Sequence, residues 1–250
     1  WCTARRRADL MLAPRLRRIL GWFRRTPLHP QWLLGTQNGA AALVRSSAKG
    51  VVLDIGCADR WVEKCLSPGC EYVGIDYLVT GRDMYGSRPD IYGDASQLPI
   101  ADESVDTVVI LDVVEHLSRP REALGEIARV LRADGRLLLT MPFLYPIHDA
   151  PHDYQRFTAH GLMREMNIAG LRVDRMTPSL GSAETAALVA CLAISGMAVQ
   201  AIQGRRIGML LLPLLVASIP IFNIVGWGMG RLLPSWSSVT AGYRLVATKP

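Results

Sequence analysis

Short hydrophobic runs recur along the middle of the chain and are separated by polar or helix-patterned segments. Val51–Ile55 lacks the regular polar alternation of a half-exposed strand, which predicts a strand buried on both faces. Further strands are predicted at Tyr72–Ile75, Val105–Leu111 and Arg136–Met141. Apolar residues recur at helical spacing over Leu124–Leu131 and predict a helix. Strands that alternate with helices favour a mostly parallel, doubly wound α/β sheet.

Other segments complete a predicted Rossmann-like sheet of seven strands. The remaining predicted strands are at Ile91–Gly93, Leu171–Met176 and Gly242–Thr248, and the remaining predicted helices are at Trp61–Leu66 and Thr158–Asn167. The helix that reaches Leu131 is expected to stop at Gly135, because glycine readily adopts the left-handed conformation of a helix C-cap.

Two long apolar stretches lie before the last predicted strand. Residues 185–204 and 207–230 contain no charged side chain, and Arg205 and Arg206 separate them. Each stretch is long enough to cross a bilayer as a helix, since about 20 residues suffice. Pro213 disfavours a straight second span, and arginines at the tip oppose an orientation that leaves the core in the cytoplasm. We therefore favour a cytoplasmic protein whose helical hairpin packs against the core and enters one leaflet. A two-span anchor and a soluble lid are the alternatives.

Positive charge is concentrated near the N-terminus. Residues 1–50 contain ten Lys or Arg and one Asp, so the other residues of this +6 chain carry a net charge of −3. Basic and apolar residues interleave over residues 15–25, which is typical of a helix on a membrane surface. A solvated arm is the alternative. The arm lacks aromatic stacking platforms near the candidate site, which disfavours a nucleic-acid partner.

The five cysteines have no paired spacing, which favours reduced thiols over a disulfide framework.

We divide the chain into a basic arm and connector at 1–47, an α/β core at 48–182, a hydrophobic hairpin at 183–232, and a last strand at 233–250. The sequence leaves the oligomeric state open.

Acidic residues close the first two strands of the predicted core. Asp54 lies in the first run and is followed by Gly56, whose lack of a side chain lets the backbone approach a ligand closely. Asp76 ends the second run, about twenty residues later, where an acid can bind the two hydroxyls of a ribose. Together these residues predict a nucleotide-type site at the carboxyl edge of the sheet.

Four blocks occur in a characteristic order: VVLDIGCAD at 51–59, YVGID at 72–76, GDASQLPIADESVDTVVILDVVEHL at 93–117 and LRADGRLLLTMPF at 131–143. In this order they resemble the class I S-adenosylmethionine-dependent methyltransferases, in the branch that acts on small molecules. The resemblance covers about residues 50–178 and the last strand. It implies an enzyme that binds S-adenosylmethionine and transfers its methyl group.

The resemblance also implies roles for individual residues. Asp54 would bind the ammonium group of the methionine portion, Asp76 the ribose hydroxyls, and Asp94 the adenine amino group. The other cofactor contacts that it implies are Gly56, Cys57, Ala58, Tyr77, Ala95, Leu111 and Asp112. Taken singly, the three acids are also compatible with turn or cap residues.

Two positions depart from the family pattern. Family members usually have glycine where this chain has Ala58 and Arg60. Nicotinamide-dependent oxidoreductases share the strand–turn–strand–acid layout, but the full GxGxxG pattern is absent here. The alternatives are therefore an NAD(P)-dependent oxidoreductase and a catalytically silent, membrane-associated protein of the same fold.

A second group of polar residues lies in PFLYPIHDAPHDYQRFT, residues 142–158, which leaves the fifth strand where an acceptor would bind. His148 or His152 is the candidate base for an oxygen acceptor, and Tyr154 and Arg156 are candidates to orient it. A loop held by its own hydrogen bonds is the alternative. His148 and His152 with Asp149 or Asp153 could also supply metal ligands. Pro146 and Pro151 disfavour a helix that would place them on one face, and we expect no metal site.

Glu115 and His116 follow the fourth strand. They are compatible with the start of a helix that has no ligand contact, and His116 is a minor candidate for a proton carrier.

The apolar hairpin and the basic arm suggest a small acceptor that is hydrophobic or lipid-linked and is brought from a membrane surface. O-methylation is favoured over N- or C-methylation.

Overall fold

The computed structural model describes residues 22–79, 81, 88–204 and 212–250. The described residues form two compact units. Residues 22–37 and 181–239 make up the hairpin unit, and residues 38–180 and 240–250 make up the sheet unit. The four-part division of the sequence, with boundaries at residues 47, 182 and 232, stays a prediction.

Seven strands build the sheet unit: β1 Val51–Ile55, β2 Glu71–Asp76, β3 Ile91–Tyr92, β4 Val105–Leu111, β5 Leu131–Pro142, β6 Arg172–Pro178 and β7 Gly242–Thr248. They form one sheet in the order β3-β2-β1-β4-β5-β7-β6. The first five run parallel, and β7 is antiparallel to both neighbours. The predicted mostly parallel, seven-stranded fold, with a helical hairpin before the last strand, is confirmed.

The described helices are α1 Trp32–Gly35, α2 Gly39–Ser47, α3 Pro120–Val130, α4 Ala159–Ile168, α5 Ser182–Gly204 and α6 Leu212–Leu232. Short 3-10 helices span Glu63–Cys65 and Val114–His116. Proline occupies the first turn of α3, where its missing N–H is not needed. The hydroxyl of Thr158 caps α4 by accepting the N–H of Gly161.

The central strands are apolar because helices cover both faces of the sheet. Leu137, Leu138 and Leu139 are consecutive in β5, so their side chains point to alternate faces, and all three are fully buried. The apolar face of α3 contributes Leu124 and Ile127 to the same core.

Three neighbouring strands end at the same level. Ile55 of β1 pairs with Ile75 of β2 on one side and with Ile110 of β4 on the other. The loops that follow these strands therefore leave from one edge of the sheet, the position at which open α/β sheets bind ligands.

The predicted helix stop at Gly135 is wrong. Helix α3 ends at Val130, and β5 begins at the next residue. It is Asp134, with φ 60°, that adopts the left-handed conformation. Gly135 is needed for a different reason: a Cβ there would lie 2.7 Å from the carbonyl oxygen of Arg132.

The predicted arm and connector at 1–47 contain helices α1 and α2. Helix α2 packs Leu43 and Val44 into the core of the sheet unit. Most of the predicted amphipathic helix at 15–25 lies outside the described residues, as do Arg205 and Arg206 at the expected tip of the hairpin.

Small and polar side chains hold the hairpin unit together. A Cβ on Gly226 of α6 would lie 2.4 Å from the Cβ of Ala187 on α5, so glycine permits this close approach. Asn223 is fully buried, and its amide donates to the carbonyl oxygens of Pro27 and His29. This side chain thereby ties the N-terminal segment to the hairpin.

Helices α5 and α6 are long and apolar enough to cross a membrane by length and composition. Only 33% and 17% of their most apolar windows are buried. Large apolar side chains on α6, such as Leu214 and Ile221, are exposed. The hairpin unit therefore permits membrane association.

Candidate active site

The loop after β1 has the backbone conformation of a glycine-rich turn, although only one of the three left-handed positions is a glycine. Gly56, Ala58 and Arg60 have φ values of 76°, 43° and 59°, all in the left-handed region. The N–H groups of Gly56 and Cys57 donate to the carbonyl oxygen of Ile75, at 2.8 and 3.2 Å. The two positions that depart from the family pattern therefore keep the conformation that glycine favours.

Asp76 connects the end of β2 to this loop. One carboxylate oxygen accepts the N–H of Ala58 at 3.1 Å, and the other accepts the N–H of Tyr77 at 2.8 Å. The side chain is buried. Each carboxylate oxygen has a further lone pair that can accept a hydroxyl group, so the geometry suits the predicted ribose contact.

Asp54 is only 2% exposed, and the hydroxyl of Tyr72 donates to it at 2.7 Å. Burial raises the pKa of Asp54 to about 7; the Tyr72 bond lowers it and the charge of Asp76 raises it. Sequence reasoning missed Tyr72, although its position in β2 beside β1 is a signal. A Cβ on Gly74 would lie 3.1 Å from both the Tyr72 hydroxyl and the Cys57 sulfur, so glycine makes room for them.

Arg60 stands where family members usually have glycine, and its side chain makes ion pairs and a ring contact of its own. Its guanidinium group bonds to Glu63 at 3.0 Å and Asp90 at 2.9 Å. It also lies over the ring of Tyr72, 4.7 Å from the centroid. Cys57 is buried, and burial raises the pKa of its thiol to about 12. Cys57 is therefore a neutral packing residue in this loop.

Asp94 lies in a turn after β3. One carboxylate oxygen accepts the N–H and hydroxyl of Ser96, at 2.8 and 2.7 Å, and the other is 3.3 Å from Arg119. Burial raises the pKa of Asp94, but these partners outweigh it and the pKa is lowered. The neighbouring Ala95 and Leu98 are buried, as an apolar wall requires.

Leu111 ends β4, and Asp112 follows with φ 53°. The hydroxyl of Thr140 donates to the Asp112 carboxylate at 2.9 Å, and the Asp112 N–H donates to the Thr140 carbonyl at 3.1 Å. These bonds attach the end of β4 to β5.

The loop over residues 142–158 is bound to the 3-10 helix after β4. The N–H of Tyr154 donates to the Glu115 carbonyl at 2.9 Å. The amide of Gln155 donates to the carbonyl oxygen of Leu117 at 2.9 Å. Nδ1 of His116 lies 2.7 Å from the carbonyl oxygen of His152.

The four predicted catalytic residues form two groups. Nδ1 of His148 lies 3.3 Å from the Asp153 carboxylate, which Arg156 also binds. The hydrogen bonds from Arg156 lower the pKa of Asp153 to about 2. Separately, Nδ1 of His152 lies 3.1 Å from the hydroxyl of Tyr154. Arg156 is therefore engaged in positioning Asp153.

Sequence reasoning underrated Glu115. Its side chain is fully buried, and neither carboxylate oxygen has a hydrogen-bond partner among the described residues. Burial, and then the charge of Asp112, raise its pKa to about 8. Nε2 of His116 and Nε2 of His148 lie 3.7 and 3.8 Å from Glu115 Oε1. An acid that directly follows the apolar pair Val113-Val114 is the sequence signal that could have identified it.

The metal alternative that the sequence offers combines His148 and His152 with Asp149 or Asp153. Among the described residues, the side chains that the structure gathers as potential metal ligands are instead Glu115, His116 and His148. His148 is the member that the two sets share.

Comparisons with known proteins agree with this geometry. Residues 53–139 match the model of a family described as a methyltransferase domain. A probable S-adenosylmethionine-dependent methyltransferase of Mycobacterium tuberculosis is 31% identical over 126 residues, which cover 48% of this chain and 42% of the relative. A demethylmenaquinone methyltransferase of Renibacterium salmoninarum is 37% identical over 76 residues, 28% of this chain and 32% of the relative.

A solved structure shares the fold. A putative methyltransferase of Bacillus halodurans superposes with a TM-score of 0.51 at 18% identity, covering 84% of this chain and 98% of that one. This chain spans less than half the length of the curated relatives that it matches. The fold and the family match together identify a methyltransferase domain. The match over residues 53–139 and the relatives named S-adenosylmethionine-dependent methyltransferases support a class I S-adenosylmethionine-dependent methyltransferase.

Ala58→Gly is expected to stabilise the protein by about 1 kcal/mol, because a left-handed conformation costs a side-chain-bearing residue about that much. Chemical denaturation measures the difference. The matched control is Ala42→Gly on an exposed position of α2, which should destabilise by about 0.5–1 kcal/mol. A loss of stability in Ala58→Gly as large as in the control would contradict the assignment of strain to this loop.

Asp54 is expected to make stability depend on pH. Its pKa is about 7 when folded and 3.8 in its ordinary state, so the unfolded chain releases this proton at lower pH. The contribution of Asp54 to the free energy of unfolding should therefore fall between about pH 4 and pH 7, by up to about 1.4 kcal/mol per pH unit, and level off above that range. Denaturation of the wild type and Asp54→Asn across this range measures the slope. Equal slopes in both proteins would show that Asp54 is not the source.

Proposed function

We propose that the protein transfers the methyl group of S-adenosylmethionine to the oxygen of a small acceptor that is hydrophobic or lipid-linked. The observation that carries this proposal is the pair of buried carboxylates, Asp54 and Asp76, at the level ends of adjacent strands. The left-handed loop after β1 accompanies them. The family match of residues 53–139 supports the same reaction class.

The residues at this edge fit the proposed cofactor. Asp76 has acceptor capacity for the ribose hydroxyls beyond its two backbone bonds. Asp54 would bind the ammonium group, and a bound cation would favour its ionised form. Gly56 has no room for a side chain, because a Cβ there would lie 2.4 Å from Val113. When bound, S-adenosylmethionine supplies a methyl group on a positively charged sulfur.

Other contacts follow from the order of the loops. The turn at Asp94 and Ala95 would bind the adenine, with Leu98 as an apolar neighbour. The backbone at Cys57 and Tyr77 would line the ribose. Leu111 and Asp112 would border the methionine portion. Each of these assignments is part of the proposal.

His152 and Tyr154 are the residues that we assign to the acceptor. Tyr154 is exposed and His152 is half-buried, so both are accessible. Nδ1 of His152 lies beside the tyrosine hydroxyl, and its second ring nitrogen would accept the proton of the acceptor hydroxyl. Holding the acceptor in line with the transferred group supplies much of the rate of such a displacement.

Two observations favour a hydrophobic acceptor. The hairpin unit has two helices long and apolar enough to enter a membrane. One of the relatives is named for demethylmenaquinone, an isoprenoid quinone. A protein held at a membrane surface would meet acceptors with such tails, and tracing the methyl label from S-adenosylmethionine into lipid and soluble extracts identifies the acceptor.

Asp76→Ala is expected to weaken the binding of S-adenosylhomocysteine by about 1–3 kcal/mol, the cost of losing a charged hydrogen-bond partner. Isothermal titration measures the affinity. Asp106→Ala is the matched control, since Asp106 also accepts a backbone N–H, from Val51, but lies at the start of β4. The affinity of Asp106→Ala for S-adenosylhomocysteine should equal that of the wild type. Absence of binding to the wild type at millimolar concentration would overturn the proposed function, and unchanged affinity in Asp76→Ala would overturn the role of that residue.

The hairpin is expected to bind lipid vesicles through its exposed apolar face. Ile221 and Ile224 are 63% and 54% exposed and lie three residues apart on α6. Replacing both by Asp should lower vesicle binding at least about tenfold, because each Asp costs about 2.5–3.5 kcal/mol inside the bilayer core. Flotation with vesicles measures this. The control, Ile168→Asp on α4, changes an equally exposed isoleucine of the sheet unit and should float like the wild type. Equal flotation of all three proteins would rule out this membrane contact.

A further inference from the structure

We propose that Glu115, His116 and His148 form a binding site for one divalent transition-metal ion. Their ligand atoms lie within 4.8 Å of one another. The site is distinct from the proposed cofactor contacts of Asp54 and Asp76.

The first observation is the state of Glu115. The side chain has no exposure, and both carboxylate oxygens lack a hydrogen-bond partner among the described residues. A buried carboxylate without partners is costly, and such groups in proteins are normally paired or coordinate a metal. The atoms that face Oε1 are two imidazole nitrogens, Nε2 of His116 and Nε2 of His148. Glu115 is therefore directed into the group.

The second observation is the orientation of the two imidazoles. Nδ1 of His116 lies 2.7 Å from the carbonyl oxygen of His152, and Nδ1 of His148 lies 3.3 Å from both the carbonyl oxygen of Pro146 and the Asp153 carboxylate. Oxygen acceptors at Nδ1 place the proton of a neutral ring on that nitrogen. The lone pairs of both Nε2 atoms then point toward Glu115. Metal-binding histidines characteristically have such acceptors at the other ring nitrogen.

The spacing fits an ion better than direct hydrogen bonds. The separations of 3.7 and 3.8 Å from Glu115 Oε1 to the two Nε2 atoms are too long for hydrogen bonds. Ligand bonds of about 2.1 Å in a tetrahedral arrangement put ligand atoms about 3.4 Å apart. The two Glu115 separations are within a few tenths of an ångström of that value, and the two imidazole ligand atoms, at most 4.8 Å apart, would approach each other by up to about 1.4 Å when an ion binds.

The donor set points to the class of ion. Two imidazoles and one carboxylate are typical of zinc and non-haem iron(II), whereas magnesium and calcium prefer oxygen ligands alone. Three protein ligands leave coordination positions for water or for an oxygen atom of another molecule. The loops after β4 and β5 hold all three residues, so their mutual hydrogen bonds also hold the site together.

The test is a titration of the untagged, chelator-treated full chain with Co²⁺ and with Zn²⁺, without S-adenosylmethionine. We expect one equivalent to bind, with Co²⁺ ligand-field bands and no thiolate charge-transfer band, which separates this site from the cysteines. Excess Mg²⁺ or Ca²⁺ should not displace the ion. Because no methyl transfer is measured, the result stands independently of the proposed function.

Single substitutions test which residues bind the ion. Glu115→Gln and His148→Ala should each weaken binding at least about 100-fold, and Asp153→Asn about 10–100-fold, as expected when a group that orients a ligand is lost. The matched control is His160→Ala, an exposed histidine on α4, which should bind like the wild type. Gln keeps the size of Glu115 and cannot ionise, so the thermal unfolding of Glu115→Gln without metal should match or exceed that of the wild type and show that it folds. No binding to the wild type at micromolar concentration, or wild-type affinity in both Glu115→Gln and His148→Ala, would overturn the proposal.

Discussion

The hydrogen bond from the Ala58 N–H to the Asp76 carboxylate fixes the loop after β1 against the end of β2. It forms because β1, β2 and β4 end level, so the loops that follow them converge on one edge. The loop reaches Asp76 with left-handed backbone at three alternating positions, two of which are not glycine. Arg60 retains this conformation with partners of its own, Glu63 and Asp90. The proposed cofactor contacts depend on this arrangement.

The fold was predictable where hydrophobic pattern alone decides structure. β1, β4 and β7 have the bounds that their apolar runs predict, because strands covered on both faces contain little else. The pattern failed at residues 131–135, where a polar stretch joins β5 through contacts distant in sequence: the N–H of Asp134 donates to the carbonyl of Lys249. No local propensity reveals such a partner. Similarly, the bonds from Asn223 to the N-terminal segment are tertiary contacts that an apolar helix pattern conceals.

Part of the candidate active site was predictable because the ends of the strands are visible in the hydrophobic pattern. Asp54 and Asp76 lie at the ends of β1 and β2, and Gly56 directly follows β1. The ends of these strands are readable from the sequence, so the placement of the three residues at one edge was inferable. Glu115 was not, because its significance lies in what surrounds it: full burial, no partner among the described residues, and two imidazoles from separate loops. The sequence predicts no metal site, and the alternative that it offers lies within the 142–158 loop alone. The structure instead combines one residue of that loop with two that follow β4.

The central claim is that carboxylates at adjacent strand ends bind the nucleoside of S-adenosylmethionine. A crystal structure of the full chain with S-adenosylhomocysteine tests it most directly. The account predicts that the ribose hydroxyls bind the Asp76 carboxylate while its bond to the Ala58 N–H persists, with the amino-acid portion near Asp54. A ligand bound elsewhere, or an Asp76 carboxylate that contacts only protein atoms in the complex, would contradict it.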